Sequence, residues 1–266
     1  VPSSFPDGVV TDRALRSFAK LLRPSDAPED PTFPSDGVGD GIEPRTAAFF
    51  REFVDATLDG EQLRASMMRA QKQMQIFLME YRFGLSEIST KVSILREQFD
   101  LTEDHSPIEH VKTRMKSLES LAEKVQRRGL DPDLGTIRGT IQDIAGMRIT
   151  CPYVADVYLI AHALRRQEDL TVLQTKDYIA SPKDNGYRSL HLIVEVPVFL
   201  AERTARVPVE IQLRTIAQDF WASTEHELRY KFDGVVPEHL SRAMSEIAGT
   251  TTALDEQMAA MRSSLS

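Results

Sequence analysis

Apolar positions along the second half of the chain fall into short alternating runs separated by longer runs at helical spacing. Val207, Val209 and Ile211 share one face of the run 207–213, and Pro208, Glu210 and Gln212 share the other, the period of a half-buried strand. Ser189 to Val196, Leu170 to Lys176 and the end of Ile141 to Cys151 read the same way. Between them, Tyr153 to Arg166 and Arg214 to Lys231 carry helical periodicity, and Glu109 to Arg128 reads as a basic helix closed by Gly129. The resulting order of helix, strand, helix, three strands and helix predicts an α+β fold, a mixed β-sheet of four to five strands flanked by helices, with helical N- and C-terminal extensions.

The first half is different in kind. Thr11 to Leu22 predicts a short amphipathic helix, and Arg23 to Arg45, with five prolines, reads as a linker. Its "GVGDGI" run has the wrong glycine spacing for a dinucleotide loop. From Thr46 to Phe99 apolar residues recur every three or four positions, which predicts two or three helices punctuated at Gly84. These shifts divide the chain into an extension (1–45), a helical segment (46–107), a core domain (108–233) and a C-terminal helix (234–266). In that last helix Leu240, Met244, Ile247, Thr251, Leu254, Met258, Met261 and Leu265 step by four and three, the seam of a heptad pattern. It predicts a homo-oligomer, against the plainer reading that the seam packs on its own domain.

Composition narrows the function more than the fold. A formal net charge of −8 disfavours a general nucleic-acid coat but leaves room for a local basic groove. The single Cys151 lies in an apolar run and fits a reducing compartment, and no run reaches the length of a membrane span. The expected location is the cytoplasm.

Three stretches carry candidate chemistry. In "RMKSLESLAEK", Lys116, Ser120 and Lys124 are spaced by four, so on one helix they would form a rail for a polyphosphate; a solvated face paired by Glu119 and Glu123 is the alternative. In "DIAGMRI", Asp143 precedes a strand and suits Mg²⁺, which takes one or two carboxylates and completes its shell with phosphate oxygens. Glu210, projecting from a strand away from its apolar face, suits a metal ligand or a general base. The stretch "KDYIASPKDNGYRSLH" should turn at Asn185-Gly186 and push Tyr187 outward between Lys183 and Arg188, a flat π surface beside positive charge. In "FWASTEHELRYK", Phe220, Trp221 and Leu228 are expected in the core and His226 is expected to be packed or hydrogen-bonded.

These segments, with "VPVEIQLRT", occur in order and together resemble the synthetase domain of the RelA/SpoT-type alarmone synthetases, most closely the stand-alone small ones. No His-Asp dipeptide occurs, so the family's metal-dependent hydrolase domain is not expected. The resemblance implies a nucleotidyltransferase-like fold that transfers pyrophosphate from ATP to the ribose 3′-hydroxyl of GDP or GTP, releasing AMP. It implies Arg114 and Arg148 around adenine and Lys116, Ser120 and Lys124 on the ATP phosphates. It also implies Mg²⁺ (Mn²⁺ possible) on Asp143 and Glu210, with Glu210 as base. Tyr187 would stack on guanine, with His191, Lys176, Asn185 and Gln212 on the rest of the acceptor. Gln174 stands where the family often has a basic residue, which leaves GDP against GTP open. Assembly as a tetramer through the C-terminal helix is implied as well. Two other readings share the residues: a nucleotide- or RNA-binding regulator on the same fold, with RNA as ligand, and a transferase of AMP rather than pyrophosphate. A pure binder needs neither Asp143 nor Glu210 beside phosphate.

Overall fold

The computed structural model describes residues 60–232 and 234–264. The helix and linker expected before residue 46, and the start of the helical segment, lie outside the described residues. The described residues divide into two compact units, one comprising 60–79 with Lys116–Ile141 and the other Glu80–Met115 with the described residues from Gln142 onward.

Helix α1 (Gly60–Thr102) runs through 43 residues without a break, where two or three helices were expected. Its buried stripe, Met74, Phe77, Tyr81, Leu85, Ile88, Val92, Leu95 and Phe99, keeps the three-and-four spacing of one amphipathic face. Gly84 does not punctuate it. A Cβ there would stand 2.7 Å from Cγ1 of Val207, so the glycine lets the helix seat closely on the valine side chains of the sheet. One helical glycine costs about 1 kcal/mol relative to alanine, which packing of this kind outweighs.

In the first unit, α2 (Leu118–Arg127) and α3 (Leu134–Thr140) bury Leu121, Ala122, Val125 and Ile137, and the Arg138 guanidinium lies 5.2 Å above the Phe77 ring. Helix α2 begins later than the sequence suggested. Ser117 is its N-cap, extended at φ −65° and ψ 157°, and its hydroxyl accepts from the Ser120 N–H.

The second unit contains a five-stranded sheet in the order β1-β2-β5-β4-β3. Its strands are β1 (His110–Met115), β2 (Ala145–Cys151), β3 (Thr171–Asp177), β4 (Leu190–Phe199) and β5 (Thr204–Thr215). Only β2 and β5 run parallel, so the sheet is mixed. Strand β1 corrects the expectation of a helix across Glu109–Arg128. His110–Met115 alternates Val111, Thr113 and Met115 with Lys112 and Arg114, and this period of two, hidden under a run of cations, seats it as an edge strand.

One sheet face is the core: Met147 and Ile149 of β2, Val207, Val209, Ile211 and Leu213 of β5, and Leu192, Val194 and Val196 of β4 are buried. Helix α4 (Val154–Arg165) contacts β2 and β5. Cys151 is buried, and burial pushes its thiol well above the usual range, consistent with a packing role. Helix α5 (Ile216–Lys231) starts from a full capping box between Thr215 and Gln218 and packs on α6 (Glu238–Ser263). Trp221 is 2% exposed, sits in a cluster with Ala222, Met244 and Ala248, and donates its indole N–H to the Met244 carbonyl at 2.8 Å. Phe220, by contrast, is 69% exposed and His226 is exposed too, so both expectations for these residues are corrected. The helix turns one side to the cluster, and Trp221 and Ala222 take that side.

Candidate functional site

Strand register puts the predicted residues of the second unit onto two adjacent rows of the sheet's non-core face. Across five strands, one row reads Lys112, Arg148, Gln212, His191 and Lys176. The neighbouring row reads Arg114, Gly146, Glu210, Ile193 and Gln174. Residues 15 to 64 positions apart in sequence become neighbours here because paired residues in a sheet point to the same side. Gly146 is the one member of the rows without a side chain, and it leaves the space between Arg114 and Glu210 open.

Tyr187 arrives from the loop between β3 and β4, which is built rather than slack. Asp177 Oδ1 accepts from the N–H groups of Ile179 and Ala180 at 3.0 and 2.9 Å, and the Gly186 N–H bonds to the Lys183 carbonyl. Gly186 takes φ +86°, as expected of an Asn-Gly turn. Asn185 bonds its own loop, accepting from the Tyr187 N–H, and donates to Glu225 of α5 at 3.0 Å. Arg188, expected beside the aromatic surface, instead donates to the Ile179 carbonyl at 2.7 Å. Lys183 does lie against that surface, its ammonium 4.7 Å from the ring centres of both Tyr178 and Tyr187. Lys183, Tyr187, His191, Gln212, Glu225 and Arg229 help to line a cleft of about 560 Å³.

Glu210 is held from two sides: the His191 Nδ1–H donates to Oε1 at 3.1 Å and the Gln212 amide to Oε2 at 3.0 Å. Burial pushes its carboxyl up, but the bonds from His191 and Gln212 outweigh burial and leave it below the usual carboxylate value, with Asp143 acting in the raising direction. It is therefore ionised at neutral pH. Burial, followed by the nearby Arg214 and Lys183, lowers His191 against the opposing pull of Glu210 and leaves a neutral ring. Since an ionised carboxylate only accepts, His191 carries its proton on Nδ1, and Nε2 accepts from the Tyr187 hydroxyl at 2.8 Å. His191 is thus an internal bridge between Tyr187 and Glu210, 8% exposed, with both ring nitrogens engaged.

Arg214 was read from the sequence only as the start of a helix. Its guanidinium donates to the Tyr187 hydroxyl at 2.7 Å, to Gln212 at 2.8 Å and to Asp219 at 3.2 Å. Asp219 also pairs with Arg148 at 3.1 Å, so one carboxylate anchors two buried or half-buried guanidiniums. Burial and then the charge of Arg214 lower the Arg148 value. Arg114 lies exposed on the edge strand, two residues out of register with Arg148.

In the first unit, Ser120 and Lys124 stand four apart on α2, but Lys116 precedes the N-cap and lies outside the helix, which corrects the picture of three residues on one helical face. What remains is a lysine leading into a helix N-terminus whose third residue is Ser120, an arrangement suited to anions.

The carboxylates of Asp143 and Glu210 feel one another's charge. Among the described residues no group of three or more His, Cys, Asp or Glu side chains is placed to hold a metal ion. Two carboxylates fit Mg²⁺, which takes few protein ligands and fills its octahedron with water and phosphate oxygens; they do not fit a closed structural metal site.

A five-stranded mixed sheet with Glu210 beside a basic row on one face and an aromatic loop next to them defines a nucleotide-handling α+β domain, and comparison with known proteins specifies it. Residues 113–235 match the region found in RelA/SpoT proteins. The chain is 46% identical over 181 residues to GTP pyrophosphokinase YwaC of Bacillus subtilis, covering 68% of this chain and 86% of that protein. The crystal structure of small alarmone synthetase 2 from B. subtilis superposes with a TM-score of 0.65 at 44% identity, covering 70% of this chain and 96% of that one. Small alarmone synthetase 1 from the same organism, bound to its product pppGpp, superposes with a TM-score of 0.67 at 39% identity, covering 73% and 98%. The chain belongs to the RelA/SpoT family.

Proposed function

We propose that the protein is a (p)ppGpp synthetase, transferring pyrophosphate from ATP to the 3′-hydroxyl of GDP or GTP with release of AMP. Glu210 carries this reading: an ionised carboxylate, aimed by two donors, on the same sheet face as Tyr187 and within the field of Asp143. Guanine stacks on Tyr187, and the ribose 3′-hydroxyl donates to Glu210, which orients it for attack and takes its proton as the bond to phosphorus forms. A carboxylate below its usual pKa is a weak base, so orientation is its larger contribution; this suits a loose transition state in which little proton transfer precedes bond making.

Asp143 and Glu210 would hold Mg²⁺, with Mn²⁺ accepted, and the ion would neutralise charge on the phosphates. Arg114 and Arg148 would flank adenine, while Lys116, Ser120 and Lys124 would serve the ATP phosphates. Lys176, at the end of the basic row, would meet the acceptor's phosphates, and Gln212 would act on the acceptor through Glu210.

We further propose a homotetramer assembled through α6. Of its expected seam, Met244 is buried against α5, whereas Ile247, Leu254, Met258 and Met261 remain exposed and available to a second copy. No helix among the described residues is long and apolar enough to cross a membrane, and a cytoplasmic location is proposed on the buried, unpaired Cys151.

Incubation with ATP, GDP or GTP and Mg²⁺, followed by anion-exchange separation, tests the reaction. AMP and a guanosine nucleotide with two added phosphates are expected in equal amounts. Release of pyrophosphate with AMP attached to an acceptor would instead establish a transferase of AMP.

A further inference from the structure

The polar side chains around Glu210 close into a ring. Arg214 donates to the Tyr187 hydroxyl at 2.7 Å, that hydroxyl to His191 Nε2 at 2.8 Å, and His191 Nδ1–H to Glu210 Oε1 at 3.1 Å. By a second route Arg214 donates to Gln212 Oε1 at 2.8 Å, and the Gln212 amide donates to Glu210 Oε2 at 3.0 Å. Every bond points from the cation toward the carboxylate. With a neutral His191 ring this assignment is the one that satisfies all the groups, because a guanidinium only donates and an ionised carboxylate only accepts. Arg214 and His191 are buried and Tyr187, Gln212 and Glu210 half-buried at the cleft, so water is partly excluded and the bonds polarise one another.

We propose that Arg214, the Tyr187 hydroxyl, His191 and Gln212 are positioning residues for Glu210, so that the aromatic residue that stacks guanine also sets the aim of the carboxylate. The inference rests on the reading that Glu210 faces the acceptor hydroxyl, and it adds a division of labour within one side chain. The Tyr187 ring binds, and the Tyr187 oxygen, through His191, orients the acid. A guanine seated on the ring holds Tyr187 in place and with it the hydrogen bond at the head of the long arm. Occupancy of the base site and alignment of the acid are thereby linked across β4 and β5.

Tyr187→Phe separates the two roles, since it keeps the ring and removes the oxygen. Its kcat is expected to fall about tenfold, the scale of a charge-linked hydrogen bond, while the KM for GDP and the affinity for GDP by calorimetry stay within about twofold. His191→Asn, which can still donate from near the Nδ1 position, should recover most of the kcat that His191→Ala loses. Nitrogen-15 NMR of histidine-labelled protein should show His191 held as the Nδ1–H tautomer by Glu210 in both proteins, with its Nε2 signal shifted in Tyr187→Phe, where that nitrogen loses the hydroxyl that donates to it. A folded Tyr187→Phe protein with wild-type kcat overturns the proposal, as does a loss confined to GDP affinity, which would make the oxygen a binding contact. An unchanged His191 Nε2 signal in Tyr187→Phe overturns it independently of activity. Absence of product from the wild type would instead overturn the assigned reaction, with the NMR comparison still deciding the ring.

Discussion

The surroundings of Glu210 and the start of α2, the two regions proposed to meet nucleotides, are built in opposite ways. Around Glu210 the polar groups tie β5 to β4 and to the loop before it, with Gln212 bridging along β5, and the ring is buried or half-buried. Around Ser120 the hydrogen bonds are local: Ser117 caps the helix and its hydroxyl donates to the Ser120 hydroxyl at 3.2 Å, three residues away. The first arrangement is preorganised and directional, with geometry that survives only if the fold is intact. The second offers charge and a helix N-terminus, which tolerate displacement and respond to salt. The acceptor site should therefore be exacting about shape and chemistry, and the ATP-phosphate site should depend chiefly on electrostatics.

The largest effect that sharpens this contrast is expected from Asp143→Asn. Charge stabilisation by a bound cation is worth several kcal/mol, so turnover should fall roughly 100-fold or more while GDP affinity and melting temperature change little. Next come two changes on the exacting side. Tyr187→Ala should weaken GDP or GTP by about 1–3 kcal/mol, the value of a base–aromatic stack, with ATP affinity spared in calorimetry. Gly186→Ala should weaken the same nucleotide roughly tenfold with an intact ring, because a Cβ at φ +86° would stand 2.5 Å from the Ala248 Cβ of α6 and displace the loop, a strain of order 1–3 kcal/mol. Equal losses for ATP and GDP in either variant would break the comparison.

On the electrostatic side, Lys124→Ala should raise the KM for ATP no more than about fivefold at low salt, and the difference from wild type should shrink as salt rises. A loss insensitive to salt would mean that Lys124 is positioned as tightly as Glu210. The smallest effect concerns Asp255 on α6, which accepts from the Thr215 hydroxyl at 2.9 Å and the Gln218 amide at 3.2 Å. Burial raises its carboxyl above the ordinary value, so the folded chain keeps the proton to higher pH than the unfolded chain. Its favourable contribution is complete below the ordinary value and is lost as pH rises through the raised one. Asp255→Asn keeps the acceptor oxygen and removes the buried charge. Its melting temperature should gain on wild type between acid and neutral pH, by about 2 °C, measured by calorimetry at several pH values.

The same contrast explains what could be read from the sequence. Features encoded within a few residues were legible: the alternation of β5 that sets Glu210 opposite Val209 and Ile211, the Asn185-Gly186 turn, and the helices after Cys151 and Arg214. Where two local patterns overlapped, the reading went astray. The cations of His110–Met115 masked a period of two, so β1 was read as part of a helix and Lys116 was placed on it. The N-cap at Ser117, with Glu119 in the first turn, was the signal that separates strand from helix. Gly84 was taken for a break because its purpose is contact with Val207, 123 positions away. The hydrogen-bonded ring was invisible for the same reason. Arg214 meets Tyr187 across 27 residues and His191 meets Glu210 across 19, pairings that only strand register creates.

The most direct test of the account replaces Glu210 alone. Wild type and Glu210→Gln are each given ATP, GDP and Mg²⁺, their products are resolved by anion exchange, and their GDP affinities are measured by calorimetry. The account predicts AMP and a guanosine nucleotide with two added phosphates from the wild type. For Glu210→Gln it predicts a loss of turnover of about 10² to 10⁴-fold with GDP still bound and the fold intact. A Glu210→Gln protein that turns over at nearly the wild-type rate would contradict it.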